Sequence, residues 1–173
     1  MRNATLKDAS SLAAISIEVW LGTYIRHGVS GFFADYALTE FTAEKFAAIL
    51  DDPLETVIVS ENRDGIDGFA RISQDQKAPI TGCSDAEITT LYVQPRHQGR
   101  KIGQQLLQEV LALCQSRQVL HPWLTTNFEN TRAIEFYQKN GFVIAGQTHF
   151  RIQDQGYLNE VLVYQPAPPR PLR

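Results

Sequence analysis

The stretch Gln98-Gly99-Arg100-Lys101-Ile102-Gly103 is where residue types and spacing could first do chemistry. It follows a strand-like run from Glu87 to Val93 and the turn Gln94-Pro95-Arg96-His97, and it opens an amphipathic run that reaches Leu113. A loop that opens a helix presents unpaired backbone N–H groups at the positive end of the helix dipole, which is a ready seat for a pyrophosphate. Gly99 and Gly103 add no Cβ to keep a ligand away from the backbone, and Arg96, Arg100 and Lys101 add positive charge beside it. The alternative is a purely structural strand-to-helix turn, and Pro95 fits both readings. Two other phosphate loops are excluded. The glycine spacing fits neither Gly-x-x-x-x-Gly-Lys-Ser/Thr nor Gly-x-Gly-x-x-Gly.

The loop resembles the acyl-CoA segment of the GNAT superfamily of N-acetyltransferases, Gln/Arg-x-x-Gly-x-Gly/Ala. Lys101 stands where that pattern usually has glycine, and it is expected to enter the helix with ordinary backbone angles. A second block, Asn130-x-x-Ala133-x-x-Phe136-Tyr137-x-x-x-Gly141-Phe142, resembles the other GNAT signature at every fixed position. Physically this block reads as a short helix with an Asn cap and a glycine stop.

The resemblance implies a GNAT fold: an α/β chain with a mixed, mostly antiparallel twisted sheet flanked by helices, its strands splayed at the acyl-CoA site. It implies acetyl-CoA as co-substrate, with pantetheine along the backbone of Leu91, Tyr92 and Val93. The pyrophosphate would lie on Gln98, Gly99, Arg100, Lys101, Ile102 and Gly103, with Asn130, Ala133 and Tyr137 completing the donor contacts. Tyr137 is implied as the acid that returns a proton to the leaving thiolate; its other reading is a core aromatic. Asn130 could cap its helix and also hydrogen-bond the donor. Glu87 lies eleven residues before Gln98, the spacing of the general base in histone-type members. An acceptor-orienting or edge carboxylate is the competing reading. Direct transfer in a ternary complex, without a metal or a Ser or Cys nucleophile, is expected.

The acceptor is implied to enter between Glu18–Glu40 and His149–Leu158. Glu18, Trp20, Tyr24, Asp35 and Tyr36 are the candidate contacts, since aromatics interleaved with carboxylates suit a cationic amine. A plain hydrophobic cap fits the same composition. Ile17-Glu18-Val19-Trp20, Thr23-Tyr24, Tyr36 and Phe41, with Gly146, Phe150 and Asp154, resemble the bacterial spermine/spermidine acetyltransferase branch. That puts small polyamines first and protein N-termini second, with a non-catalytic acyl-CoA-binding sensor as the alternative from another class. Family members are often dimers, so a homodimer is open.

These residues must be positioned by an alternation of strands and helices. A first strand is expected near 2–5, and a helix from Asp8 to Trp20. An irregular segment over 21–40 carries Gly22, Gly28 and Gly31, and a helix from Thr42 to Leu50 ends at Asp52-Pro53. Strands over 55–61 and 66–73 form a hairpin, and a polar loop spans 74–84. Then come a strand over 86–93, a helix over 99–116, a strand over 122–126, a helix over 130–140, and strands over 142–150 and 158–164. One domain over 1–165 is expected, with a Pro-rich, disordered tail over 166–173.

The 173 residues are 43% hydrophobic and 20% charged, as in an ordinary globular protein. The net charge of -3 argues against nucleic-acid binding. No apolar run suits a membrane span or a signal core, so a cytoplasmic protein is expected. Cys83 and Cys114 have no metal-type spacing and read as reduced thiols. His97 is expected to face solvent or the CoA phosphates, His121 and His149 to be surface polar groups, and His27 to lie in the irregular segment.

Overall fold

Three polar caps start helices where the sequence changes from extended to periodic. Ser30 Oγ accepts the Phe33 N–H, Thr42 Oγ1 accepts the Lys45 N–H at 3.2 Å, and Asn130 Oδ1 accepts the Ala133 N–H at 3.2 Å. They open α2 (Gly31–Glu40), α3 (Ala43–Asp51) and α5 (Thr131–Lys139). The remaining helices are α1 (Ala9–Tyr24) and α4 (Ile102–Ser116). The strands are β1 (Arg2–Asn3), β2 (Glu55–Asn62), β3 (Gly65–Ser73), β4 (Glu87–Val93), β5 (Trp123–Asn127), β6 (Phe142–Ile152) and β7 (Gln155–Tyr164). The computed structural model describes residues 1–25 and 27–166, so the predicted tail beyond 166 lies outside the described residues.

Hydrogen bonding orders the strands β1-β2-β3-β4-β5-β7-β6 in a seven-stranded sheet. The β1/β2, β2/β3, β5/β7 and β6/β7 pairs are antiparallel, while β4 and β5 run parallel, in register at Glu87 and Trp123. This is the mixed, mostly antiparallel α/β architecture expected.

The chain divides into two compact units. The first comprises Met1–Gln74 and Ile88–Leu113. Its core joins Leu12, Ala13 and Ile15 of α1 and Phe46 of α3 to Val57, Val59 and Phe69 of the sheet. Each large side chain withdrawn from water there contributes about 1.5–3 kcal/mol before entropy is charged. Arg2 clamps the start of the unit: its guanidinium donates to both Asp8 oxygens, at 2.7 and 2.9 Å, and Asp8 also accepts the Thr5 N–H at 2.7 Å. The Arg2 guanidinium holds the Asp8 carboxyl well below the usual carboxylate range. The second unit comprises Asp75–Glu87 and the chain from Cys114 onward. Ala78, Ile80 and Cys83 of the polar loop pack on Trp123, Val161 and Val163. Burial pushes the Cys114 thiol up to about 11, as befits a core filler.

Most element boundaries fall within a few residues of expectation, but the segment over 21–40 does not. There α1 continues to Tyr24 and α2 occupies Gly31–Glu40, which adds one helix to the expected order. The glycines misled for a local reason. A Cβ at Gly22 or Gly31 would meet nothing within 4 Å, so neither residue marks a tight approach or a break. Gly31 instead directly follows the Ser30 cap. Aromatic packing between α1 and α2, invisible as a local signal, supplies the missing order. Similarly, α4 begins at Ile102 rather than Gly99, and β6 and β7 extend their hairpin to Ile152 and Gln155.

Candidate active site

The glycine-dotted loop is built within the first unit. Gln98 has extended angles, and Gly99 then turns left-handed at φ +81°. Lys101 is left-handed as well, at φ +64°, which corrects the expectation of ordinary angles. A non-glycine residue in that region carries roughly 1–3 kcal/mol of strain. That explains physically why glycine suits this position. The Gln105 N–H donates to the Lys101 carbonyl at 3.0 Å, so the N–H groups of Ile102 to Gln104 belong to the open first turn of α4. Left-handed Gly99 and Lys101 flank Arg100, whose φ is not positive, and such alternation before a helix N-terminus is the backbone type that forms anion nests. The loop chemistry therefore fits a pyrophosphate.

The turn before it is tied down at Gln94. Its N–H donates to the Asp67 carbonyl at 3.0 Å, its carbonyl accepts the His97 N–H at 2.8 Å, and its side-chain Nε2 donates to Glu18 Oε2 at 2.9 Å. Arg96 lies 3.8 Å from the other Glu18 oxygen. Glu18, expected at the acceptor, is thus engaged on the turn that leads into the loop. His97 is partly buried rather than turned to solvent, and its Nδ1 and the Asp67 Oδ1 are buried without a partner among the described residues. Beneath the loop, β3 comes close to β4 and α4. A Cβ on Gly68 would stand 2.8 Å from the Tyr92 carbonyl and 3.3 Å from Ile102 and Leu106. Only glycine fits without a backbone shift. Gln94 bears no motif signal in the sequence, whereas Gly68 is marked by standing inside a strand pattern over 66–72.

The other predicted acceptor residues also lie in the first unit. Trp20 is 4% exposed, with ring centroids of Tyr24 at 4.6 Å, Tyr36 at 4.8 Å, Phe33 at 5.8 Å and Phe41 at 6.1 Å. This is a packed cluster that welds α2 to α1, so the hydrophobic-cap reading accounts for Trp20. Tyr24 and Tyr36 are half-buried at its margin and Asp35 is exposed. Burial, with Glu40 and Tyr24 adding to it, pushes the Tyr36 phenol up to about 12.

In the second unit, α5 carries Asn130, Ala133 and Tyr137. Asn130 caps the helix as expected. At the other end Gly141 turns left-handed at φ +90°, and its missing Cβ would meet the Tyr164 ring at 3.1 Å. The Asn and Gly of the second motif therefore have plain conformational duties. Tyr137 is buried, with Phe142 at 5.6 Å and Phe136 at 5.2 Å between ring centroids. Burial raises its phenol pKa above the ordinary range, so the hydroxyl keeps its proton. Glu87 is half-buried at the first residue of β4, opposite Trp123. His121 Nδ1 lies 3.1 Å from the Tyr164 carbonyl, and His27 and His149 are exposed.

Among the described residues no group of three or more His, Cys, Asp or Glu side chains could hold a metal ion, and no helix is long and apolar enough to cross a membrane. Comparison with known proteins agrees with the motifs and the sheet order. The profile of the Acetyltransferase (GNAT) family matches residues 23–142. An uncharacterized N-acetyltransferase of Mycobacterium tuberculosis is 27% identical over 147 residues, 85% of this chain and 90% of the relative. A spermidine N(1)-acetyltransferase of Thermoplasma acidophilum is 22% identical over 148 residues, 83% of this chain and 88% of the relative. Among solved structures, the PaiA N-acetyltransferase of the same organism, in complex with coenzyme A, superposes with a TM-score of 0.72 at 20% identity, covering 92% of this chain and 95% of that one. A family profile over most of the chain makes the assignment plain: the chain belongs to the GNAT family of acetyltransferases.

Proposed function

We propose that the protein transfers the acetyl group of acetyl-CoA directly to a primary amine, with small polyamines as the first acceptor class. The observation that carries this reading is the loop Gln98–Gly103, where left-handed Gly99 and Lys101 open the first turn of α4 as an anion nest. The donor pyrophosphate is assigned to this loop and the pantetheine to the backbone of Leu91, Tyr92 and Val93. Asn130 and Ala133 at the start of α5 are assigned to the donor as well.

Acetyl-CoA supplies an activated thioester carbonyl. The acceptor must present a neutral nitrogen, its proton leaving to Glu87 directly or through water. As the new C–N bond forms and the C–S bond breaks, the Tyr137 hydroxyl donates a hydrogen bond to the departing sulfur, which leaves as the thiolate while the amine proton stays on Glu87 or water. Burial keeps this hydroxyl protonated at neutral pH, so its hydrogen is present to be offered to the sulfur. For the acceptor, Asp35 and the half-buried Tyr24 and Tyr36 offer charge and aromatic faces to a cation. Trp20 stands behind them as support. The spermidine acetyltransferase relative favours polyamines over protein N-termini.

The test is release of CoA thiol from acetyl-CoA against spermidine, spermine, lysine and N-terminal peptides, with product mass. Monoacetylated spermidine or spermine formed faster than any acetyl-peptide is the expected result. Acetylation of peptides alone would move the acceptor to protein N-termini. No product with any amine, with acetyl-CoA still bound, would replace the enzyme by a donor-binding sensor.

A further inference from the structure

We propose that Glu18 is a positioning residue of the donor turn, acting through Gln94, rather than a contact for the acceptor. The inference rests on the reading that Gln98–Gly103 receives acetyl-CoA.

Glu18 and Gln94 are 76 residues apart, and the bond between their side chains is partly buried. Gln94 has all three of its directions fixed. Its N–H is bound to β3 at Asp67, its carbonyl closes the turn to His97, and its carboxamide is bound to Glu18 on α1. The chain from this point to the loop is short and stiff. Pro95 fixes one backbone angle, the Gln98 N–H donates to the Pro95 carbonyl at 3.3 Å, and left-handed Gly99 follows at once. A swing of Gln94 about the strand end would therefore displace the nest itself, and the α1 carboxylate opposes that swing.

Charge argues in the same direction. A carboxylate near a seat for pyrophosphate repels that ligand, so its charge does not account for Glu18 at this position. Its close cation among the described residues, Arg96, is 3.8 Å away with its side chain 73% exposed, a contact worth little on its own. The hydrogen bond to Gln94, not the charge, is what the position needs. Glu18 also lies half a turn from Trp20, whose aromatic cluster fixes α1 against α2. The turn is thus referred to a rigid part of the unit.

This account separates two substitutions that a charge-based acceptor role would not. Glu18→Gln keeps an oxygen for the Gln94 carboxamide and removes the negative charge, so the dissociation constant for acetyl-CoA should stay at the wild-type value or fall. Glu18→Ala removes the hydrogen bond and should raise that constant about five- to ten-fold, with kcat at saturating acetyl-CoA and the KM for the amine little changed. Gln94→Ala should match Glu18→Ala, and the double substitution should be no worse than either alone. Binding is read by titration calorimetry, KM and kcat by thiol release, and folding by thermal melts of each variant.

Three other outcomes would overturn the proposal: additive losses in the double variant, a Glu18→Gln as weak as Glu18→Ala, or a rise only in the amine KM. The parallel substitution Gly103→Val keeps this failure distinct from failure of the donor-loop reading. Should it leave acetyl-CoA affinity intact, the loop assignment falls; should it weaken binding while Glu18→Ala and Gln94→Ala do not, only the positioning role falls.

Discussion

At the scale of single residues, Tyr137 shows how one side chain can satisfy two readings. It is a core aromatic by packing, against Phe136 and Phe142, and its hydroxyl keeps the proton that the proposed role requires. Tyr137→Phe preserves the ring and deletes only the proton. It should lower kcat about ten-fold or more and leave acetyl-CoA affinity nearly unchanged, as steady-state kinetics and calorimetry would show. The pH profile sharpens this. Because burial raises the phenol above its usual value of about 10, Tyr137 stays protonated through the neutral range and contributes no limb there. A limb between about pH 7 and 8 that vanishes in Tyr137→Phe would contradict the raised phenol pKa while keeping Tyr137 in the reaction. Lys101 teaches the complementary lesson. Its strain sits where two left-handed residues shape the nest, and strain of this kind persists where the surrounding structure over-determines it.

At the scale of elements, the loop works only because β3, β4 and α4 hold it from below. Gly68 is the point of closest approach, with the Tyr92 carbonyl 2.8 Å from where a Cβ would stand. A carbonyl oxygen of a paired strand cannot step aside as a flexible side chain can. Gly68→Ala should therefore cost about 1–3 kcal/mol, a fall in Tm on the order of 5 °C, and acetyl-CoA affinity should drop with it. Gly22→Ala is the internal contrast. It lies inside α1 with open space around it and should be neutral or stabilising by about 0.5–1 kcal/mol. Equal Tm shifts in the two variants would show that the packing of β3 against α4 is not what demands glycine at Gly68. The Trp20 cluster is the same kind of device, joining α1 and α2 through ring packing rather than through backbone hydrogen bonds.

At the scale of the whole molecule, the strands and most helices were legible because their signals are local. Caps at Thr42 and Asn130 and the turn Asn62-Arg63-Asp64-Gly65 between two β-rich runs announce themselves within a few residues. The helix over Gly31–Glu40 was not legible, since aromatics distant from it along the chain, Trp20 and Tyr24 of α1, pack on its Phe33 and Tyr36. The site divides the same way. Motif residues such as Gly99, Asn130 and Gly141 carry their reasons in their backbone angles and caps. Glu18 could not be placed from sequence, because its partner Gln94 is distant along the chain and bears no motif signal. Lys101 was misjudged because nothing in a residue's identity reports a left-handed angle. The central claim joins these scales: a nest at the mouth of α4 receives the acetyl donor. Titration calorimetry of acetyl-CoA into the wild-type chain and into Gly103→Val tests it most directly. The account predicts saturable one-to-one binding to the wild-type chain, at least about ten-fold weaker when the valine crowds the loop. Equal affinity in the two proteins would contradict it.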